Sequence, residues 1–342
     1  MTLLAGTDGG VFEVANGTVR QRLESRCVRD LVRVSGRIFA GTDAGLFVSD
    51  DNGANWSRRG LENRQIWQIR DAGDGSLYLA TQPAGLFRSR DGGESWREIE
   101  SLMQIDGADA WCLPVTPPAK ARARALVIDR DDPRRIRLGV EVGGIMASDD
   151  GGETWNAVLP GDNPDLHMMI ADPARPGVLY TSTGYGRFDG EAERIEGNAG
   201  MFRSDDYGAT WRYVWVGIEP RYSRPLCVDP RPPHGVTVGS APSAFSKCQD
   251  PQGAEAMLFR SEDGCETWRS LCDAAHSPSR ANFHGLAPDP DAPGGVIVGT
   301  DNGEVWRVSN DAEWTLLGDG MPLVASVLPA YPANDAQPSL SA

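Results

Sequence analysis

The sequence has no segment typical of a membrane span or a secretion signal. None of its apolar runs approaches the ~20 residues that a spanning helix needs. No basic start followed by an apolar stretch precedes the early acidic residues Asp8 and Glu13. The six cysteines contain no Cys-x-x-Cys pair, and a chain of this size does not need disulfides to fold. We therefore expect a cytoplasmic protein with reduced thiols. Four cysteines fall between Cys227 and Cys272, which leaves a local disulfide or metal site open as the alternative.

Positive charge is also scarce. Lys and Arg number 33 against 48 Asp and Glu, which gives a net charge of −15 at pH 7. Because nucleic acids and anionic membrane surfaces are bound through clustered cations, we expect neither as a partner. The sequence contains no His-Glu-x-x-His, P-loop or Gly-x-Ser-x-Gly segment. We therefore expect no cofactor, and no motif identifies a reaction.

Turn-forming residues and tryptophan are abundant instead. The 342 residues include 40 Gly, 24 Pro and 10 Trp, which indicates many tight turns and large aromatic anchors. One pattern recurs: an apolar strand, a Gly-rich turn, a second strand and an acidic turn that ends in Trp. We call these segments the acidic turns. Their copies are SDDNGANW from Ser49, SRDGGESW from Ser89, SDDGGETW from Ser148, SDDYGATW from Ser204, SEDGCETW from Ser261 and a shorter SNDAEW from Ser309.

The chemistry of the acidic turns favours a hairpin. Ser and Asp side chains accept hydrogen bonds from turn amides, Gly adopts positive φ, and Trp covers the hairpin with an apolar face. A calcium loop is not expected, because an EF-hand loop needs a Glu at its twelfth position. At one turn Cys265 replaces the glycine. The residues expected to be structural are Ser49, Asp51, Trp56, Ser89, Asp91, Trp96, Ser148, Asp150, Trp155, Ser204, Asp206, Trp211, Ser261, Asp263 and Trp268.

These turns resemble the BNR or Asp-box repeat, Ser-x-Asp-x-Gly-x-Thr-Trp. That repeat occurs in sialidase-like propellers, sortilin-type receptors and photosystem II assembly factors. The resemblance covers nearly the whole chain and implies a β-propeller. It says little about activity, because Asp boxes are structural elements and not active sites.

Counting strands predicts an all-β, seven-bladed β-propeller. Successive acidic turns are separated by 40 to 59 residues, which suits four strands per blade. Inner strands are expected at residues 29–34, 66–70, 123–129, 166–171, 224–229 and 282–287. The N-terminal residues supply three strands without an inner one, and Leu323 to Ala330 form an apolar strand with no partner. Pairing the two closes the ring. We therefore expect one domain over 1–331, with blade 1 from 1–25 plus 321–330, and a flexible tail over 332–342.

The entrances of the inner strands and three long loops should share one face, where binding usually resides. Arginine binds carboxylates and aromatic rings stack on sugars, so we expect a small anionic or sugar-like ligand there. The alternative is a structural network of arginine–carboxylate pairs. His167 and His284 with Glu141 or Asp301 lack local metal-ligand spacing, and we expect no metal. The candidate ligand-binding residues are Arg29, Trp67, Arg124, His167, Arg187, Arg224 and His284.

Two functions follow. The first is a monomeric, non-catalytic propeller that binds a partner protein or a small anionic or sugar-like ligand. The second is a sialidase-like glycoside hydrolase or lyase that acts on an acidic sugar. For it, the resemblance implies that Arg29, Arg124 and Arg224 imitate an arginine triad, while Tyr185 or Tyr222 forms a nucleophile pair with Glu141. Two features disagree with a sialidase: its Phe/Tyr-Arg-Ile-Pro segment is missing, and sialidase propellers have six blades.

Overall fold

The computed structural model describes residues 1–113, 115, 117–188 and 192–330. These residues form seven four-stranded antiparallel sheets arranged as the blades of a propeller, and one additional two-stranded sheet. The predicted all-β, seven-bladed fold is confirmed. The helices of the described residues are three short 3-10 turns, Glu100–Gln104, Ala108–Ala110 and Pro160–Asp162, and none of them could span a bilayer.

The strands follow the blades in chain order. They are β1 (Thr2–Thr7), β2 (Gly10–Ala15), β3 (Thr18–Glu24), β4 (Val28–Val34), β5 (Arg37–Thr42), β6 (Gly45–Ser49), β7 (Ser57–Arg58), β8 (Gln65–Asp71), β9 (Leu77–Gln82), β10 (Gly85–Ser89), β11 (Arg97–Glu98), β12 (Cys112–Leu113), β13 (Ala119–Lys120), β14 (Ala123–Ile128), β15 (Ile136–Val140), β16 (Gly144–Ser148), β17 (Asn156–Val158), β18 (Leu166–Ala171), β19 (Leu179–Thr183), β20 (Met201–Ser204), β21 (Arg212–Tyr213), β22 (Tyr222–Val228), β23 (Val236–Ala241), β24 (Met257–Ser261), β25 (Arg269–Ser270), β26 (Phe283–Pro288), β27 (Val296–Thr300), β28 (Val305–Val308), β29 (Trp314–Gly318) and β30 (Val324–Pro329).

Blade 1 closes the ring as the sequence predicts. Its sheet has the order β3-β2-β1-β30, and blades 2 to 7 are β4–β7, β8–β11, β14–β17, β18–β21, β22–β25 and β26–β29. Leu3 pairs with Pro329 and Ala5 with Val327 in antiparallel register. The Ser326 hydroxyl donates to the Val28 carbonyl oxygen of blade 2 at 3.1 Å. The chain ends therefore share one sheet, which leaves no open sheet edge at the seam. The predicted tail, 332–342, lies outside the described residues.

Blades pack closely because small residues face the neighbouring inner strand. A Cβ on Gly299 of blade 7 would collide with Val324 of blade 1, and one on Gly6 would collide with Ser326 and Val28. The end of the inner strand β14 is apolar on both sides, with four consecutive buried residues. The core is consequently divided among the seams between blades, where apolar side chains from adjacent sheets meet.

The acidic turns are folded as hairpins held by their own side chains. At Ser148 the hydroxyl donates to Asp150 Oδ1 at 2.8 Å and accepts the Gly152 amide at 2.9 Å. Asp150 in turn accepts the Thr154 amide and hydroxyl. These bonds, led by that of the Thr154 hydroxyl, hold the pKa of the Asp150 carboxyl well below its ordinary value. The Ser–Asp–amide pattern recurs in the other four full acidic turns.

Two details differ from the simplest expectation for these turns. The five tryptophans of the full acidic turns are only half-buried, so they flank the blade cores and do not fill them. Cys265 adopts φ +72°, and its amide donates to Ser261 Oγ at 2.8 Å. The cysteine thus keeps the left-handed geometry of the glycine it replaces, at a steric cost that glycine would avoid.

Candidate functional site

A cavity of about 280 Å3 opens at the centre of the ring, where the inner strands begin. We call this cavity the channel mouth. Its lining residues come from all seven blades, most of them at the entrances to the inner strands, where the sequence predicts a site. They are Asp8, Cys27, Arg29, Trp67, Gln68, Arg122, Arg124, His167, Met168, Arg224, Pro225, His284, Leu323 and Ala325.

Three guanidinium groups surround Trp67. The Cζ atoms of Arg29, Arg122 and Arg124 lie 3.8, 4.5 and 5.1 Å from the centroid of the indole ring. A cation at such distances is attracted to the face of an aromatic ring. Trp67 is itself 9% exposed. The ring therefore holds the arginines in place and does not offer a free stacking surface.

Two carboxylates neutralise these arginines. Arg29 binds Asp43 through two hydrogen bonds of 2.5 and 2.8 Å. Arg122 binds Glu141 through both Nε and Nη2, and Arg124 Nη1 lies 2.7 Å from Glu141 Oε2. Burial by itself would raise the pKa of Glu141, but Arg124 and Arg122 outweigh it and hold the pKa well below its ordinary value. Glu141 is therefore ionised at neutral pH.

Arg224 is different, because no carboxylate pairs with it among the described residues. Its Nη2 donates to the Ala244 carbonyl oxygen at 3.0 Å and to the Tyr222 hydroxyl at 3.3 Å. Its Nε is buried without a partner, and so is the Nε of Arg124. Burial, with Arg224 and Arg124 nearby, lowers the pKa of His284 to about 3, so this ring is neutral at neutral pH. The mouth thus retains unsatisfied donors on one side.

A buried polar cluster lies behind the arginines. His167 Nε2 is 3.2 Å from Asp165 Oδ1, and the other ring nitrogen, Nδ1, lies 2.5 Å from the Ser223 carbonyl oxygen. Ligand atoms of Glu141, Asp165 and His167 lie within 4.8 Å of one another, a spacing that a metal ion could use. The residues fit a metal poorly, because Arg122 and Arg124 occupy the Glu141 oxygens and their charge opposes a second cation.

The structure brings most of the predicted ligand-binding residues together. Arg29, Trp67, Arg124, His167, Arg224 and His284 all line the mouth. Arg187 does not: its Nε binds Glu193 Oε2 at 2.5 Å within the long loop of blade 5. Arg122 and Asp165 were missed, although each lies two residues before a predicted site residue. Because alternate residues of an extended segment point the same way, that spacing was the available signal.

The tyrosines are not placed as the sialidase-like interpretation expects. The Tyr222 hydroxyl contacts Arg224, and its ring packs 4.6 Å from that of His167. The Tyr185 ring lies 5.4 Å from that of Tyr222 in a tilted arrangement, and Tyr185 lines a separate cavity beside Arg194. Among the described residues neither hydroxyl is hydrogen-bonded to Glu141, whose oxygens are taken by arginines. The expected Tyr–Glu nucleophile pair is therefore not formed among the described residues. Each of the six cysteines is a free thiol.

Comparisons with known proteins place the chain among propellers. No protein family matches in a scan of the sequence. The chain is 28% identical over 326 residues to the oligoxyloglucan-reducing end-specific xyloglucanase of Emericella nidulans, covering 81% of this chain and 37% of that protein. A crystal structure of an ancestral GH74 enzyme superimposes with a TM-score of 0.59 at 13% identity, over 92% of this chain and 39% of that one. YCF48 bound to D1 peptide gives 0.53 at 14% identity, over 84% and 81%.

These likenesses establish the propeller fold, and the structural neighbours include GH74 xyloglucanases and Ycf48. The chain spans between about a fifth and two fifths of the length of the curated relatives it matches. Of the two functions that the sequence analysis raises, the comparisons favour the glycoside hydrolase-like alternative over the non-catalytic one.

Proposed function

We propose that the protein is a glycoside hydrolase-like propeller that binds a carboxylate-bearing saccharide at the channel mouth. Its acidic turns are then Asp boxes of the BNR type with a purely structural role. The xyloglucanase relatives support a carbohydrate ligand. The observation that carries the proposal is Arg224, a mouth arginine with a buried, unpartnered Nε and no carboxylate partner among the described residues.

The donors that remain in the mouth suit a carboxylate. Arg124 Nε and Arg224 Nε are buried and unpartnered, and a buried donor without an acceptor costs free energy until a ligand supplies one. His284 lies in the same cavity and accepts or donates one hydrogen bond as a neutral ring. A ligand carboxylate in the cavity would form charge-assisted hydrogen bonds with the guanidinium groups of these two arginines. Arg29 and Arg122 contribute less, because Asp43 and Glu141 already neutralise them.

The carboxylates of the mouth are better suited to positioning arginines than to donating protons. Glycoside hydrolysis needs two carboxyl groups, one of which is protonated and acts as the acid. The pKa values of both Glu141 and Asp165 are lowered, the latter by His167 against the opposing effect of burial. Burial raises the pKa of Tyr222 to about 12, which disfavours a phenolate nucleophile. Asp8 is an exposed carboxylate of the mouth without an ion pair among the described residues.

These lowered pKa values favour a second candidate function, which is binding without hydrolysis. In that case the same arginines would take the carboxylate of a partner polypeptide, for example its C-terminus. The two candidates share the anion site and differ in the remainder of the ligand, so one set of measurements distinguishes them.

Arg224→Gln tests the anion site. We expect the wild type to bind glucuronic acid and a glucuronate-containing oligosaccharide, with no binding of the neutral glucose counterparts. The variant should bind at least about tenfold more weakly, since a hydrogen bond to a charged group contributes about 1.5–3 kcal/mol. Isothermal titration calorimetry measures both affinities. Arg134→Gln is the matched control, because Arg134 is 72% exposed at the opposite end of the inner strand and pairs with Asp132.

Three outcomes decide between the candidates. Release of the aglycone from an aryl glucuronide by the wild type, lost in Asp8→Asn, establishes a hydrolase. Tight binding of a peptide with a free C-terminal carboxylate, without turnover of any glycoside, establishes the second candidate. Equal binding of glucuronate by wild type and Arg224→Gln removes the anion site and both proposals with it.

A further inference from the structure

The other end of the ring carries a second cavity, unrelated to the channel mouth. It has a volume of about 280 Å3 and lies between the turns that follow the inner strands of blades 4 and 5. We call it the blade 4–5 cavity. Asp129 and Asp131 line it from blade 4, and Pro173, Ala174 and Tyr207 line it from blade 5.

The two turns belong to a set of four with the same construction. Each has seven residues and begins with an aspartate whose amide donates to the carbonyl oxygen of the seventh residue, at 2.8 to 3.0 Å. They are the turns 129–135, 172–178, 229–235 and 289–295 in blades 4, 5, 6 and 7. Equivalent positions in different blades can therefore be compared directly.

Between blades 6 and 7 the equivalent space is filled by the protein's own arginine. Arg231 is the third residue of its turn, and its guanidinium crosses to the turn 289–295. There it donates to the carbonyl oxygens of Asp289, Pro290 and Ala292 at 2.6, 3.1 and 3.2 Å. Asp229 of the same turn also binds this guanidinium. These main-chain carbonyl oxygens thus form a guanidinium site, which the side chain of Arg231 occupies.

Between blades 4 and 5 the equivalent guanidinium site is present, but no arginine of the turn occupies it. The third residue of the turn 129–135 is Asp131, whose exposed side chain cannot reach across as a donor. The carbonyl oxygens of Asp172 and Pro173 correspond to those of Asp289 and Pro290. Within the part of the chain that the structure describes, neither of them accepts a hydrogen bond. The cavity occupies the place that the arginine fills in the other seam.

The charged side chains around this guanidinium site leave it available to a ligand. Arg135 is paired with Asp129, and Arg137 with Asp149 and three carbonyl oxygens. Asp131 lines the cavity without an ion pair among the described residues, and the exposed Arg130 lines it as well. The local charge is balanced, so recognition would depend on the directed carbonyl acceptors.

We propose that the blade 4–5 cavity receives the guanidinium group of an arginine side chain from a partner polypeptide. The five N–H donors of a guanidinium can reach the Asp172 and Pro173 carbonyl oxygens together, as Arg231 does with their counterparts. A lysine ammonium, as a compact donor, cannot reproduce that planar arrangement. This inference does not depend on the function proposed for the channel mouth.

A titration followed by the backbone amide resonances of 15N-labelled protein tests it. The probe is Nα-acetyl-arginine methylamide, compared with its lysine counterpart and with free arginine. We expect saturable shifts centred on residues 172–178, and binding at least about tenfold weaker for the lysine probe. Wild-type protein without saturable shifts there, or equal binding of the lysine probe, overturns the proposal. Tighter binding of free arginine than of the capped probe overturns a polypeptide source.

Two variants at one exposed position provide the control. Asp131→Arg introduces the residue that corresponds to Arg231, so the new side chain should occupy the guanidinium site and abolish probe binding. Asp131→Gln removes the same charge without filling the cavity, and should retain binding within about threefold of wild type. Undiminished binding by Asp131→Arg would place the probe elsewhere and contradict the proposal.

Discussion

Replacing Trp215 with alanine should lower the free energy of unfolding by about 3–5 kcal/mol, the usual cost of emptying a large buried aromatic site. Trp215 has no exposed surface and lies in the seam between blades 5 and 6. Its ring centroid is 4.8 Å from Trp268 and 5.3 Å from Phe259, both in edge-to-face geometry. The truncation therefore leaves a cavity bounded by two other aromatic rings that cannot collapse to fill it.

The neighbouring residue supplies the control for this measurement. Val216 is 71% exposed, so Val216→Ala should change the free energy by no more than about 0.5 kcal/mol. Urea unfolding followed by tryptophan fluorescence and circular dichroism measures both variants. A loss below about 1 kcal/mol for Trp215→Ala would show that the seam rearranges around the gap, and that Trp215 is not its main anchor.

Trp215 also marks where the sequence stops predicting the core. Periodic signals predict the fold well: the acidic turns, the strand spacing and the unpaired strand Leu323 to Ala330 suffice for seven blades and for their closure. The same repeats direct attention to tryptophans such as Trp155, which is half-buried. Trp215 follows the short strand β21 outside any repeat, and its burial depends on how two blades meet. Sequence periodicity carries no information about that packing.

The candidate site shows the same division. Entrances to inner strands must converge on the axis of a propeller, so Arg29, Arg124, Arg224 and His284 could be placed at one mouth from the strand count alone. Their partners could not. Whether Glu141 pairs with an arginine or a tyrosine depends on side-chain distances of a few ångströms, which the repeat does not set. Arg187 lies in a long loop whose path the blades leave undetermined.

Glu141→Gln should destabilise the protein by about 3 kcal/mol at pH 7. Glu141 is 6% exposed and accepts hydrogen bonds from Arg122 and from Arg124. Glutamine keeps the volume but removes the charge, which leaves two partly buried guanidinium groups without their counter-ion. Removing one partner of a buried ion pair costs about 3–5 kcal/mol, and the residual hydration of the arginines places this case at the lower end. Glu313→Gln, at an exposed position, should change the free energy of unfolding by less than about 0.5 kcal/mol.

The difference between wild type and Glu141→Gln should also depend on pH. The arginines hold the pKa of Glu141 in the folded state below its ordinary value of 4.5. A depressed carboxyl pKa stabilises the fold above the unfolded-state value, and this stabilisation is lost as the pH falls below it. The difference in unfolding free energy should therefore be constant from pH 7 to about 5.5 and shrink between about pH 4.5 and 3. The neutral His284 ring is present in both proteins, so its own acid destabilisation cancels in this difference. A difference that stays constant down to pH 3 would mean that the Glu141 charge does not stabilise the arginines of the channel mouth.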